Sequence, residues 1–254
     1  MPLNSLGGSR PARHGARSPA PAGGLLVLHR VARSWLTGDP GAPVVTPVLR
    51  DVSLQVDAGE TVAVVAEPGA GGSTLLLVAA GIARPDSGSV HHMLARFSGG
   101  SVHLVPTRPA LPGSATPREL LLQTARGSAF RPGIAVEAER QLRHPAIARV
   151  ADLPLRQLPP YVAWFTALAA ARMLRGLLLV DRPPDEALPR LLSVEPAPVA
   201  TPALAVAERA NGAPRVSILP RAELHMVRNP HCVPRGARVL LLRNGELWSP
   251  GANW

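Results

Sequence analysis

Lysine is absent from this sequence, and all 27 basic residues are arginine. With 17 acidic residues the formal net charge is +10, whereas aromatic residues make up only 3% of the chain. The arginines are scattered, and no patch interleaves basic with aromatic side chains, so we expect no nucleic-acid partner. The arginine bias and the 29 prolines are typical of a GC-rich genome, although a basic balance would also favour anionic lipid head groups.

Cysteine is nearly absent, because Cys232 is the only one. A single cysteine excludes an intramolecular disulfide and a cysteine metal site. No stretch reaches about 18 apolar residues without a charge or a proline, so no membrane span is predicted. The most apolar region, residues 161–180, is interrupted by Arg172, Arg175 and Gly176 and indicates a buried helix followed by a strand. These features are compatible with a cytoplasmic protein.

Residues 1–24 are rich in Gly, Pro, Ser and Arg. They cannot bury much apolar surface, so we predict a disordered tail, and they lack the apolar segment of a secretory signal. Two interpretations of this tail stay open, a basic tether to a membrane surface and an over-extended gene start. The remaining residues, 25–254, are long enough to form a folded domain with its own core.

The folded part opens with strand-like segments at residues 25–31 and 44–56. A third segment, residues 61–66 (TVAVVA), is a short apolar run typical of a strand buried on both faces. A glycine-rich loop at residues 68–72 follows, and residues 73–83 (STLLLVAAGIA) are predicted to form a helix. This order of strand, glycine loop and helix is the most informative local pattern in the chain.

The middle of the chain, about residues 111–174, is predicted to be mostly helical. Strands are predicted again at residues 177–181 and 215–219, and a hairpin at residues 239–248, where Asn-Gly favours a type I′ turn. Strands and helices in this order predict an α/β sheet with a helical insertion.

Residues 49–90 resemble the opening of an ABC transporter ATP-binding domain. Three later segments fall in the order of that family: residues 104–116 at its glutamine loop, 177–183 (LLLVDRP) at its Walker B strand and 237–251 at its closing hairpin. The resemblance covers roughly residues 25–251.

The resemblance implies an α/β fold with a P-loop NTPase-like mixed sheet flanked by helices. It implies a helical subdomain at about residues 111–174. It also implies a reduced antiparallel β lobe, because the segment between Val90 and Val105 is too short for the extra hairpin that the family usually has.

The family's P-loop is G-x-x-x-x-G-K-[ST], in which backbone N–H groups and a lysine bind phosphates and a hydroxyl binds Mg²⁺. Here Ala66 replaces the first glycine, Gly71 matches the second, and Gly72 stands at the lysine position. Pro68 removes one backbone N–H.

An arginine from another part of the chain could take the place of the lysine, but it would present a planar fork rather than a point charge. The alternative to phosphate binding is a tight glycine-rich turn that binds nothing. The nucleotide-binding residues implied are Trp35, Gly69, Ala70, Gly71, Gly72, Ser73 and Thr74.

The metal ligands implied by the resemblance are Ser73 and Asp181, for Mg²⁺ bound with ATP. The family places a glutamate after the aspartate to polarise the attacking water, but this chain has Arg182, which removes a base and could pair with Asp181. The alternative role for Asp181 is to cap the following turn.

Other family positions also depart from the pattern. The glutamine loop carries Thr107, and the signature motif aligns with residues 158–162, where Pro159 and Pro160 replace Ser-Gly. The switch-histidine position falls at residues 220–221, and His225, which lies nearby, is predicted to be a surface histidine. The D-loop aspartate position falls at Leu188, and the SGG at residues 98–100 is predicted to be a turn.

Aromatic residues offer one retained feature. Trp35 falls where the family stacks adenine on an aromatic side chain, although packing under the edge of the sheet is the alternative. Trp164 and Phe165 are predicted to be core residues.

Three functions stay open. The first is a degenerate ATP-binding subunit that binds Mg-nucleotide weakly, has no catalytic residues of its own and forms a dimer with a competent ATPase subunit. It would dock on a transmembrane permease through its helical lobe, at the inner face of the cell membrane. The second is an active ATPase with an atypical site, which is disfavoured because each lost charge contact costs ~3 kcal/mol or more of transition-state stabilisation. The third is a structural or regulatory scaffold that binds no nucleotide.

Overall fold

The structure is a computed structural model that describes residues 24–39, 41–96, 100–128, 133–184 and 221–250. Several predictions therefore lie outside the described residues, among them the tail up to residue 23, the strand at residues 215–219 and the family positions at Leu188 and Pro220. Most of the SGG turn at residues 98–100 lies outside them as well. Within the described part, no helix is long and apolar enough to cross a membrane.

One sheet is antiparallel and contains three strands, β1 (Gly24–Thr37), β2 (Val44–Asp57) and β4 (Ser87–His92), in the order β2-β1-β4. Strand β1 is longer than the predicted segment 25–31. Its second half is too polar to look like a buried strand, but it is held by pairing with β2, as in the Trp35–Thr46 register. Cross-strand pairing, rather than burial, therefore extends this strand.

The second sheet contains six strands in the order β5-β6-β7-β3-β8-β9. Its first five strands are mutually parallel, and β9 pairs antiparallel with β8. Asn244 and Gly245 between these last two strands both have positive φ, 49° and 79°, as a type I′ turn requires. The strands are β3 (Thr61–Ala66), β5 (Ser101–Val105), β6 (Gly176–Val180), β7 (Ala222–Val227), β8 (Arg238–Arg243) and β9 (Glu246–Trp248).

Four α-helices are described, α1 (Gly72–Ala79), α2 (Pro117–Gly127), α3 (Ile134–Leu142) and α4 (Pro160–Met173). Helix α1 ends before the predicted residue 83, because Gly81 adopts a left-handed conformation with φ 74° that terminates the helix. The other three helices occupy the region predicted to be helical.

The core has two parts, one on each face of the parallel sheet. Leu177 and Leu179 of β6 pack with α1, β1 and β2, whereas the alternate residues Leu178 and Val180 pack with the helices α2, α3 and α4. This alternation follows from the two-residue period of a strand. Trp164 and Phe165 of α4 lie in the second part, 3% and 6% exposed, so the prediction that both are core residues is confirmed.

The mixed sheet with helices on both faces confirms the predicted α/β fold. The neighbouring strands β6, β7 and β3 run parallel, so their carboxyl ends meet at one edge of the sheet, where α1 begins. Ligands of open α/β sheets bind at such an edge.

Candidate functional site

The loop between β3 and α1 is a tight turn that depends on glycine. Gly69 and Gly71 have φ of 83° and 100°, a region that residues with a Cβ rarely adopt. A Cβ on Gly71 would also lie 2.9 Å from both the carbonyl oxygen and Cγ1 of Val48 on β2. Gly71 therefore lets the loop lie directly against β2.

The amino terminus of α1 presents backbone donors. Gly71 is its N-cap and makes no side-chain capping hydrogen bond, and the first backbone bond of the helix runs from the N–H of Leu75 to Gly71. The preceding N–H groups, those of Gly72, Ser73 and Thr74, have no intrahelical acceptor. Their orientation and the helix dipole suit an anion such as phosphate.

Ser73 and Asp181, the two predicted metal ligands, are brought together. The Ser73 hydroxyl donates to Oδ2 of Asp181 at 3.1 Å, although 108 positions separate them in the chain. Two hard oxygen groups at this spacing fit Mg²⁺, which takes one or two protein ligands and completes its shell with water and phosphate oxygens. No group of three or more His, Cys, Asp or Glu side chains that could hold a metal was found among the described residues.

The positive charge of Arg182 suggested an ion pair with Asp181, but the described bond between them is made by the backbone. The hydrogen bond between them comes from the backbone N–H of Arg182 to Oδ1 of Asp181, at 2.9 Å. This local bond coexists with the contact to Ser73. Asp181 thus has one oxygen bonded to Ser73 and the other to the adjacent backbone N–H.

These groups border an open cavity of about 270 Å³ at the carboxyl edge of the sheet. Its charged lining residues are two acids, Glu67 and Asp181, and two arginines, Arg182 and Arg228. The remaining lining residues are Val48, Ala66, Gly69, Gly71, Gly72, Ser73, Thr74, Met226 and Val227.

The position at which the motif would carry lysine is enclosed on one side. A Cβ on Gly72 would lie 3.2 Å from the sulfur of Met226 and 3.3 Å from the Cβ of Ala66, closer than most side-chain contacts. Ala66 and Gly72, the two residues that depart from the motif, therefore lie side by side, and a side chain at position 72 would press against Ala66 and Met226. A side chain at position 72 requires Met226 and Ala66 to shift by a few tenths of an ångström.

Trp35 is attached to α1 but does not line this cavity. Its indole N–H donates to the hydroxyl of Thr74 at 3.1 Å, and it remains 36% exposed. The guanidinium of Arg33 lies 4.3 Å from the centre of the ring and is held by Asp86 at 2.8 Å. One face of the indole is therefore occupied by a cation. Trp35 lines a second, shallower groove with Arg33, Ser34, Leu36, Val45 and Asp86.

The family positions at Thr107 and at the signature motif do not contribute donors to the cavity. The hydroxyl of Thr107 is buried and has no hydrogen-bond partner among the described residues. Pro159 and Pro160 form the start of α4 and have no N–H to offer. Tyr161 and Val162 are buried in the helical part of the core.

The prediction for the switch position, at residues 220–221, is wrong. Arg221 precedes β7, and its guanidinium donates to the carbonyl of Arg172 and to Glu223. The residues that follow β7 at the cavity edge begin with Arg228. Strand β7 was not predicted, because Ala222–Val227 contains Glu223 and a histidine, which break the apolar pattern of a buried strand. The predicted strand at residues 215–219 lies outside the described residues.

The prediction that His225 is a surface residue is also wrong. His225 is 6% exposed and its Nε2 lies 2.8 Å from Glu223, which is 4% exposed. Burial alone would raise the pKa of Glu223, but the hydrogen bond to His225 and the charges of Arg172 and Arg221 outweigh it and lower that pKa to about 2. The side chains of Glu223 and His225 therefore hydrogen-bond to each other on the face of β7 that lies toward α4.

Sequence reasoning missed Glu67, Met226 and Arg228 as residues of the cavity. The available signal was the alternation along β7, because Ala222, Leu224 and Met226 lie in the core formed with α1. The strand ends at Val227, beside the cavity that Arg228 also lines.

The sequence and the fold described above match known proteins. The model of the family described as "ABC transporter" matches residues 49–159. The LolD ATP-binding protein of a lipoprotein-releasing system from Anaeromyxobacter dehalogenans is 33% identical over 61% of this chain and 70% of its own length. The cytochrome c biogenesis ATP-binding export protein CcmA 1 of Salmonella typhimurium is 33% identical over 54% of this chain and 67% of its own.

Other matches are shorter or rest on structure. The macrolide export ATP-binding/permease protein MacB of Burkholderia thailandensis is 46% identical over 26% of this chain, but that segment is only 9% of MacB. Among solved structures, a dimeric bacterial ABC transporter cassette superposes with a TM-score of 0.60 at 18% identity, covering 87% of this chain and 96% of the cassette. An ATP-binding subunit of an ABC transporter gives 0.57 at 21% identity, with 88% of each chain covered.

Proposed function

Because the chain belongs to the family of ABC transporter ATP-binding proteins, we propose that it is a catalytically degenerate subunit that binds Mg-nucleotide weakly. The observation that carries this proposal is the pair formed by Ser73 and Asp181 beside the glycine loop. That pair retains the metal end of the site, whereas the lysine position at Gly72 is crowded by Met226. The site would therefore bind Mg-nucleotide without hydrolysing it at the rate of an ordinary family member.

Phosphate would be held chiefly by backbone. The N–H groups of Gly72, Ser73 and Thr74 face the cavity side of α1, and Gly69 and Gly71 allow the loop to curl. Mg²⁺, when bound with nucleotide, would neutralise phosphate charge, and Ser73 and Asp181 would hold it. Trp35 offers one ring face, beside Arg33, on which a base could stack. Affinity is reduced because no ammonium group reaches the β- and γ-phosphates.

Hydrolysis requires more than binding. A general base must take a proton from the attacking water, and the position after Asp181 carries a cation in Arg182. The buried Thr107 and the prolines at 159 and 160 do not replace the family's groups at those positions, which position water or contact nucleotide held by a partner. Turnover at the rate of an ordinary family member is therefore not expected, even though such losses are not additive.

A subunit of this kind acts beside others. We propose a dimer with an intact ATPase subunit and attachment to a membrane permease on the cytoplasmic face of the membrane. Two features of relatives support this: a similar cassette is dimeric, and MacB is named as a combined ATP-binding and permease protein. We propose residues 111–174 as the subdomain that contacts the permease; its helix α3 exposes Val136, at 73%.

The proposal is tested by titrating the purified chain with a fluorescent ATP analogue, with and without Mg²⁺. Saturable binding that Mg²⁺ strengthens is expected, and Asp181→Asn should remove the effect of Mg²⁺. Asp152→Asn is the matched control, because Asp152 is an exposed acid paired with Arg118 in the helical region. Binding by Asp181→Asn that still responds fully to Mg²⁺ would contradict the role of this carboxylate.

A sensitive ATPase assay, on the chain alone and with candidate partner subunits, separates the other two functions. Robust turnover that Asp181→Asn abolishes would show an active ATPase with an atypical site. No saturable nucleotide binding, together with no effect of Trp35→Ala, would show a scaffold. Slow or absent turnover with saturable binding is the result that the proposal predicts.

A further inference from the structure

We propose that Arg228 supplies the positive charge that binds the terminal phosphate of the nucleotide, in place of the lysine missing at position 72. This inference rests on the proposed function, because it names a residue of the same site. The chain would then distinguish nucleoside triphosphate from diphosphate and monophosphate through an arginine that follows β7, instead of a lysine at the start of α1.

The direction of the strand is the first argument. Ala222, Leu224 and Met226 of β7 lie in the core formed with α1, whereas Glu223 and His225 face the opposite side and pair with each other. Strand β7 ends at Val227, at the carboxyl edge of the sheet. Arg228 is the next residue, and it lines the cavity together with Met226 and Val227.

The crowding at position 72 is the second argument. The sulfur of Met226 lies 3.2 Å from where a Cβ on Gly72 would be, so the end of β7 occupies the space in which a lysine stem would begin. Arg228, the residue directly after this strand, lines the same cavity. The end of β7 therefore both crowds the position of the missing side chain and leads into a basic residue at the site.

The charge balance of the cavity is the third argument. Its walls carry Glu67 and Asp181 against Arg182 and Arg228. Without Arg228, two carboxylates would face a polyanionic ligand with a single guanidinium. That remaining one, Arg182, is adjacent in sequence to the metal ligand Asp181 and bonds to it through its backbone, so it belongs to the metal end of the site. Arg228 is the cation on the β7 side, next to the loop that leads into α1.

Arginine is suited to this task in a specific way. Its planar fork binds two phosphate oxygens at once, which adds geometric selectivity to charge. A lysine at position 228 would keep the charge and lose the fork. The contact is expected to contribute most for ATP, less for ADP and least for AMP.

The experiment compares ATP, ADP and AMP binding to the full chain at fixed Mg²⁺, by displacement of a fluorescent nucleotide. The variants are Arg228→Ala, Arg228→Lys and, as a matched control, Arg149→Ala, an exposed arginine of the helical region. Arg228→Ala should weaken ATP binding about ten- to hundred-fold, the range of one charge-assisted hydrogen-bonding contact, and should bring ATP and AMP affinities together. Arg228→Lys should retain part of the preference, and Arg149→Ala should leave it unchanged.

The outcomes separate this inference from the function on which it rests. No binding to the unmodified chain would overturn both. Binding to the unmodified chain with the same ATP preference in Arg228→Ala would overturn the role of Arg228 alone. If Arg228→Ala does not fold, as judged by thermal unfolding, Arg228→Lys decides: a preference for ATP that is reduced but retained supports the contact, and an unreduced preference contradicts it.

Discussion

The charged groups of β7 and the arginine that follows this strand lie in opposite surroundings. On the α4 face, Glu223 and His225 are buried and bonded to each other, and Arg172 and Arg221 lie 3.8 and 3.4 Å from the Glu223 carboxylate. Directly after β7, Arg228 borders an open cavity. A buried charge is stable only when its partners are supplied by the fold, whereas a residue that borders an open cavity can also contact a ligand. The difference separates charges that the fold encloses from one that lies beside a site open to solvent.

The largest effect is expected from breaking the buried cluster. Glu223→Ala should lower the free energy of unfolding by about 3–5 kcal/mol, because Arg172 and Arg221 would be left near a buried site without their carboxylate. Urea unfolding measures this. Asp152→Asn, at an exposed ion pair, should cost less than about 1 kcal/mol. A loss below 1 kcal/mol for Glu223→Ala would show that the cluster contributes little to stability.

The next effect is the pH dependence of stability. The pKa of Glu223 is lowered from 4.5 to about 2 in the folded chain, so its contribution to stability is present above about pH 5 and is lost as pH falls through 4.5 toward 2. The loss is on the order of 3 kcal/mol, seen as a falling Tm in thermal scans across that range. A Glu223→Gln variant should show a smaller slope than the unmodified chain. Equal slopes would mean that other carboxylates account for the acid sensitivity.

A smaller effect is expected from restoring lysine at the cavity. Gly72→Lys should destabilise the chain by about 1–2 kcal/mol, because its Cβ meets Met226 and Ala66 and overpacking carries a cost of this size. The double variant Gly72→Lys, Met226→Ala should bind ATP more tightly than Gly72→Lys alone. Displacement of a fluorescent nucleotide and urea unfolding give both quantities. Equal ATP affinity in the two variants would contradict the view that Met226 blocks position 72.

The smallest effect concerns Trp35. Trp35→Phe removes the indole N–H that bonds to Thr74 but keeps a ring beside Arg33, so it should cost about 0.5–1.5 kcal/mol of stability and change nucleotide affinity little. Trp35→Ala should weaken affinity further if a base stacks there. Identical nucleotide affinity for the Ala and Phe variants would remove Trp35 from the site and leave it a structural role.

Some of this molecule follows from local sequence. The apolar run at Thr61–Ala66, the glycine loop and the apolar run of β6 are visible because strands buried on both faces have uninterrupted apolar residues and because glycine is required where φ is positive. The Asn-Gly turn of the closing hairpin follows from the same rule. These are short-range constraints, and a chain with this order of elements has few alternative folds.

Tertiary structure decided the rest. Strand β7 was missed because Glu223 and His225 look like surface residues until α4 supplies Arg172 and the two side chains pair with each other. The contact of Ser73 with Asp181 joins residues that are distant in the chain, and the crowding of position 72 depends on Met226 of another strand. The sequence by itself determined that lysine is missing. Only packing decided what occupies its place and which arginine lies beside it, because burial and through-space distance are properties of the assembled sheet.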